Sequence, residues 1–392
     1  MADEVALIVD GQKFTNWESV GISQSLTQIA GSFEFVVSSK WPTDWASNYG
    51  IYMGAKCEVT VNDYQIINGY IDQIPIRYSS NNYSISYAGR DKTADLVDSC
   101  FDIDEGKNEL KNQTPYAIIS KLCSPFDIQV YGDIDVLVEM NDWSKPIESY
   151  TIEVGTPIYE QISRLCQAYA VLPYTKGDGV LWLGRAGVVP SIDSLEGGVN
   201  IKSASFRTSD RNRFQKYYAK GVQGEAKTKT DVLKSDAIED VNIARERVLV
   251  VVDENLKTIG SCNKRAAWEA SIRAGKSGSL GIEVQGWTQS NGWPWMLNSV
   301  VPVYDQYLGI GEPFGLSLTR GAGQPEDWLI DSIDFSLDNT GGSIANLGLV
   351  MPDTYKIQKV KTTKKVKKDN RSVIQKAVAS GKIKVPGRMK TP

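Results

Sequence analysis

A rhythm of short alternating runs cut by turn signals constrains this chain most. VALIV (5–9) runs into Asp10-Gly11, and a strand follows around Glu18–Leu26. GSFEFVVSS (31–39), KCEVTV (56–61), YQIINGYIDQIPIRYSS (64–80) and YSISYAG (83–89) continue the series, with Asn62-Asp63 and Asn81-Asn82 as turn signals. Successive strand side chains face opposite ways, so such runs read as half-buried antiparallel strands. Strands this short and closely spaced predict a small barrel or sandwich in residues 1–100.

Helical spacing enters next. Thr114-Pro115 has the N-cap and first-turn residues of a helix start, and TPYAIISKLC follows with apolar positions at helical spacing. Thr156-Pro157 opens a second segment, TPIYEQISRLCQAYAVLPY, and TKGDGVLWLGR then reads as a Gly-Asp-Gly hairpin entering a strand. The two segments share TP and IS[K/R]LC, the mark of a helix-then-strand unit used twice. Residues 101–195 therefore read as α+β.

From 196 the β rhythm returns in RFQKYYAKGV (213–222), RERVLVVVD (245–253), SLGIEVQGWT (279–288), VVPVYD (300–305), GLSLT (315–319) and DWLIDSIDFSLD (327–338), with a helix at 263–275. In the last strand Ile333, Phe335 and Leu337 share one face and Ser332, Asp334 and Ser336 the other. The expected fold class is β-rich multidomain (α+β): β domains at 1–100 and 196–354, the latter carrying the helix, an α+β domain between them, and a basic C-terminal arm at 355–392.

Charge is divided along the chain. Residues 355–392 hold 13 Lys+Arg and one acid, Asp369, while the preceding 354 residues carry 30 basic and 46 acidic side chains, a net of −16. The body is acidic and the arm basic. The arm has the charge to bind nucleic acid, but its one aromatic, Tyr355, gives no stacking series, and an acidic protein surface fits it equally well.

The 392 residues include no histidine, which removes Ser-His-Asp and Cys-His triads, His-ligated zinc and HExxH sites and argues against an enzyme. Five scattered cysteines without a CxxC pair read as buried free thiols. No apolar run reaches the ~18 residues of a membrane span. The start, MADEVALIVDG, is acidic and reads as no signal peptide, so assembly in a host cytoplasm is expected.

Three motifs invite sharper readings. Asp91, Asp95 and Asp98 in YAGRDKTADLVDSC stand at helical spacing, as an acid/base or metal cluster would, yet a solvated or interfacial helix face is commoner and the stretch reads as a strand-to-helix handover. AGKSGSL (274–280) lacks the first P-loop glycine, having Ala270 there, and runs helix to strand, the reverse of a P-loop. GWTQSNGWPW (286–295) places Trp287, Trp293 and Trp295 around a turn fixed by Pro294; core or protein interface is the expected role. No catalytic, cofactor-binding or metal-binding residue is assigned.

Four stretches together resemble the baseplate hub proteins of Mu-like contractile phages, which are related to phage late control D proteins and to the hub portion of type VI secretion spike proteins. They are VALIVDGQKFTNWESVGISQSLTQIAGSFEFVVS, INGYIDQIPIRYSSNNYSISYAGRDKTADLVDSC, VGTPIYEQISRLCQAYAVLPYTKGDGVLWLGR and GWTQSNGWPWMLNSVVPV, spanning about residues 5–350. The resemblance implies two similar small β-barrel domains per chain and a homotrimer, so that six barrels surround one axis. It implies a structural adapter in the virion tail baseplate, lining the DNA channel, with the tail tube protein, central spike protein, baseplate wedge proteins and tape measure protein as partners. It implies no catalytic residues, no cofactor, no metal, no specific nucleic-acid binding and no membrane insertion.

Two readings from other classes stay open. A peptidoglycan-binding or carboxylate-dependent hydrolase component of a tail would retain or cleave cell-wall material. A nucleic-acid-binding protein would lose affinity steeply with salt, and entirely without its arm.

Overall fold

The alternation read along the sequence becomes the burial pattern of the strands. A computed structural model describes residues 3–39, 50–80, 83–102, 108–132, 143, 145–187, 189–221, 233–253, 255–256, 258–311 and 326–355. By its contacts the chain divides into Met1–Gln358 and Lys359–Pro392. The turn Asn81-Asn82, the strand expected at 315–319 and arm residues 356–392 lie outside the described residues.

The first β-rich segment supplies β1 (Val5–Val9), β2 (Gln12–Phe14), β3 (Ser19–Ser25), β4 (Ser32–Ser39), β5 (Lys56–Val61), β6 (Tyr64–Gln73), β7 (Ile76–Tyr78) and β8 (Tyr83–Asp91). The run expected as one strand over 64–80 breaks before Pro75, which has no N–H for the ladder. Gly69 and Gly89 let β6 and β8 close together, since a Cβ at either would overlap the backbone of the opposite strand.

The middle segment holds α1 (Ala94–Asp98), β9 (Glu109–Gln113), α2 (Pro115–Cys123), β10 (Val130–Gly132), β11 (Ile147–Thr151), α3 (Ile158–Tyr169), β12 (Leu172–Tyr174) and β13 (Leu181–Gly184). Thr114 caps α2 as its sequence predicts, accepting from Ala117 N at 3.2 Å. The cap of α3 differs from expectation. Pro157 stands at the N-cap, and buried Gln161 reaches back to the preceding loop, accepting from Glu153 N at 2.9 Å and donating to Glu153 O at 3.0 Å. These elements share a core of their own that includes Ile118, Leu122, Ile162, Leu165 and Leu181.

The last segment adds β14 (Val189–Pro190), β15 (Leu195–Glu196), β16 (Ile201–Thr208), β17 (Lys216–Gly221), β18 (Ile238–Glu239), β19 (Val248–Asp253), α4 (Ile259–Gly275), β20 (Gly278–Gln285), β21 (Ser299–Tyr304), β22 (Glu326–Asp338) and β23 (Gly342–Val350). α4 begins four residues before the expected 263, because Thr258 and Ser261 form a reciprocal capping box at 3.0 and 3.1 Å. Its buried face, including Cys262 and Ala266, packs with Tyr217 and Ala219 of β17 and Ala168 of α3.

The two β-rich segments share one sheet. Its path is β16-β20-β23-β22-β3-β4-β8-β6-β5-β1-β2, and no closed barrel is traced among the described strands. The junction is the antiparallel pair β22–β3, Ser332↔Ser25 through Leu337↔Val20. One core lies behind it, drawing Leu7, Phe35 and Ile67 from the first segment and Leu280, Trp328 and Phe335 from the last. Burying each such side chain contributes roughly 1.5–3 kcal/mol, so the first and last segments depend on each other for their stability.

Candidate functional surface

The aspartates singled out at 91–98 do not form one cluster. Asp91 is the last residue of β8, not a helix residue, and is 1 % exposed. Its Oδ1 accepts from Thr93 N at 2.9 Å and from the Thr93 hydroxyl at 2.6 Å, while Oδ2 is buried with no hydrogen-bond partner among the described residues. Burial pushes its pKa up to about 6, with Asp178 adding to the rise and Thr93 opposing it. Asp98 instead faces outward and pairs with Arg90 at 2.6 Å, which holds its carboxyl below the usual range. Arg90 also binds Asp72 at 2.7 Å. Burial raises Asp95, which is not part of either arrangement. Among the described residues no group of three or more His, Cys, Asp or Glu side chains is placed to hold a metal ion.

The junction works as a clamp between segments. The Gly-Asp-Gly turn, with Gly177 and Gly179 at φ +81° and +73°, lies against β6. Gln24 Nε2 donates to Ile66 O at 2.9 Å beside it, and Asn68 Nδ2 to Asp178 O at 3.4 Å. Only glycine fits at 177, because a Cβ there would overlap Ile66 O.

The tryptophan turn splits in the same way. Trp287 and Trp295 are core residues, and Trp287 Nε1 donates to Ser336 O at 3.0 Å. Trp293 is 45 % exposed, its ring 5.7 Å from that of Tyr64. The P-loop-like AGKSGSL is the α4–β20 connection, where Lys276 caps the helix. Of the cysteines, Cys57, Cys123, Cys166 and Cys262 are buried as expected, but Cys100 is exposed.

A broader feature carries no sequence motif. The outward positions of the shared sheet are dominated by small residues. Ser203 and Ser205 of β16 stand beside Glu283 and Gly281 of β20, and Gly348 of β23 beside Ser332 of β22. Ser336 and Asp334 of β22 then meet Gly21 and Ser23 of β3, and Glu34 of β4 meets Ala88 of β8. Two open grooves run along this face, of about 280 Å³ by Ser205, Gly281 and Gly348, and about 540 Å³ by Ser23, Ser32 and Asp334. Its charges are mostly paired: Arg90 with Asp72, and Lys202 with Glu283 at 2.8 Å. The signal was present in the sequence as the polar parity of strands such as SVGISQS and GSLGIEVQ.

Residues 4–91 match the family of Mu phage baseplate assembly protein GpP-like N-terminal domains, and residues 93–185 the second domain of gp44-like baseplate hub proteins. The baseplate hub protein gp44 of Escherichia phage Mu is 29 % identical over 310 residues, 77 % of this chain and 79 % of that protein. A 43 kDa tail protein of prophage MuSo2 from Shewanella oneidensis is 31 % identical in its crystal structure, with a TM-score of 0.74 over 90 % of this chain and 99 % of that one. A tail protein from Neisseria meningitidis, 20 % identical, shares the fold at a TM-score of 0.72 over 91 % of this chain and 99 % of its own.

Proposed function

The chain belongs to the family of Mu-like phage baseplate hub proteins, structural components of the virion tail, and from that premise we propose that it is a homotrimeric adapter lining the DNA passage between the central spike and the tail tube. The observation that carries the proposal is the shared sheet. Residues 1–100 and 196–354 act as the two β lobes of each subunit, with the α+β domain 101–195 held against β6 by its Gly-Asp-Gly turn. Three subunits then set six lobes around one axis. That arrangement meets a sixfold tube and keeps threefold symmetry for the spike.

The small-residue face suits a passage wall. Its carboxylates Glu34, Asp72, Glu283 and Asp334 stand with Arg90, Lys202 and Arg207, and Asp72 and Glu283 are engaged by cations of the same face. A phosphate chain sliding past meets Ser, Gly and Ala rather than a row of free cations, so the multivalent counterion release behind tight DNA binding is not available. The role is structural rather than enzymatic: Asp98 is tied up by Arg90, and Asp91 faces protein instead of solvent. Tail tube, spike and wedge proteins are the partners in this reading, and the tape measure protein is a further one. Light scattering of the purified chain, alone and with spike and tube proteins, tests it. A trimer is expected; a monomer in every mixture overturns the proposal.

A further inference from the structure

Two exposed apolar patches with different rims lie on separate elements of the chain. On β19, Val248, Val250 and Val252 are 48, 55 and 63 % exposed. Among the described strands β19 pairs only with β17. The parallel register sets Lys216, Tyr218 and Lys220 beside the three valines on the same face. Lys234 lies opposite Lys220 across a bridge, and both are exposed. Like charges directly opposite each other repel, so this face gains from a carboxylate partner. Glu239, opposite Lys216, supplies the face with one acid.

The second patch surrounds the tryptophan turn. Exposed Trp293 leans on Tyr64, and Ile192, 60 % exposed, is held by Gln289, whose own N–H donates to Trp293 O at 2.7 Å. Its rim is acidic. Asp63, next to Tyr64, and Glu4 share Lys13, and Asp193 accepts from Ser290 N at 2.6 Å.

We propose that the valine face of β19 on one copy docks on the Trp293 patch of a second copy, head to tail. A body of net −16 that concentrates lysines beside exposed valines on one sheet, and carboxylates beside exposed aromatics on another, is complementary to itself. Different patches on one chain make a heterologous contact, which repeats around an axis and closes when the rotation allows. Aromatic anchors with an apolar partner and a charged rim are the usual anatomy of such contacts. The inference rests on the trimer reading and names the surfaces that would build it.

The test uses the full chain with Cys100→Ser, since that thiol is exposed. A Val250→Cys/Trp293→Cys double variant treated with a short bismaleimide should run as a covalent trimer on a denaturing gel, and Val250→Cys alone should give no cross-linked pair. Val250→Lys should shift the scattering mass from trimer to monomer while its far-ultraviolet circular dichroism spectrum matches wild type, because an exposed site tolerates substitution without a change of fold. Self-cross-linking of Val250→Cys, or a trimer that yields no cross-link in the double variant or survives Val250→Lys, overturns the proposed contact and leaves the trimer reading intact. A wild-type chain that is monomeric at every concentration and with its tail partners overturns both.

Discussion

Ser23 donates a 2.6 Å hydrogen bond to Asp334, joining side chains 311 residues apart. Both are exposed, so the bond itself contributes little, about 1 kcal/mol or less. Its neighbours matter more. Ile22 and Phe335 are paired across the same seam and fully buried. Phe335→Ala should therefore cost about 3–5 kcal/mol, and Ser23→Ala under about 1 kcal/mol. Since both β segments share the core behind the seam, thermal unfolding of Phe335→Ala followed by circular dichroism and by tryptophan fluorescence should give coincident transitions. Separate transitions for the two segments would contradict the shared core.

The glycine clamp makes a second, sharper contrast. Gly177 and Gly11 both have φ near +80°, at +81° and +78°. Alanine at Gly11 meets no atom within 4 Å and should cost only the left-handed strain, about 1 kcal/mol. Alanine at Gly177 meets Ile66 O as well and must move the turn off β6. Gly177→Ala should lower the melting temperature several degrees more than Gly11→Ala; equal shifts would show that the turn does not clamp the sheet.

Asp91 gives a pH signature. Its folded-state pKa, about 6, lies above the ordinary carboxylate value near 4, so the folded chain binds this proton more tightly than the unfolded chain. Asp91 therefore opposes folding fully above pH 6, and the penalty fades as pH falls from about 6 to 4. Asp91→Asn keeps the acceptor for Thr93 and removes the charge. It should stabilise the protein at pH 7–8 by about 1–3 kcal/mol, and its advantage over wild type should shrink toward pH 4. The lack of histidine implies a flat stability profile between pH 6 and 8, and this one carboxyl perturbs only the lower edge. Paired melts across pH 4–8 decide, and an advantage that grows on acidification would reverse the assignment.

Much of the fold was legible where one physical signal acted alone. Alternation marked most strands of the first segment and β17 and β19–β22 of the last, but left β16 and β23 of the shared sheet and β9 and β11 of the middle segment unread; Thr114-Pro115 marked α2, and Gly177 and Gly179 the hairpin turn. What stayed hidden depends on contacts between distant residues. Nothing in SVGISQS or DWLIDSIDFSLD says that they pair with each other, so two separate barrels were the natural expectation and one shared sheet is what the strands trace. Spacing placed Asp91 with Asp95 and Asp98, but β8 runs on to residue 91 and turns that carboxyl into the protein. The small-residue face was missed because no motif marks it; it emerges only when registers align the polar parity of neighbouring strands.

The charge division predicts how the protein treats DNA. Residues 1–354 carry −16, and a trimer of them about −48 before counter-ions. The arm carries the opposite sign, but its first residue, Tyr355, belongs to the core. It is buried against Trp268 and bonded to Asp331, and Thr354 fills the notch over Gly275. A clean removal of the arm must therefore end after Tyr355. The 1–355 chain should fold with the melting temperature of the full chain, whereas a 1–353 chain should lose several degrees. On duplex DNA at 50 mM salt the 1–355 chain should show no saturable binding, because acids outnumber bases on the body and Arg90 and Lys202 of the sheet face are engaged by carboxylates. Full-length chain that binds at 50 mM salt and releases steeply by 200 mM assigns that affinity to the arm. Tight, salt-sensitive binding by the 1–355 chain would instead mean that the body itself attracts phosphate, and the proposal that the small-residue face passes DNA without holding it would be wrong while the trimer could still stand.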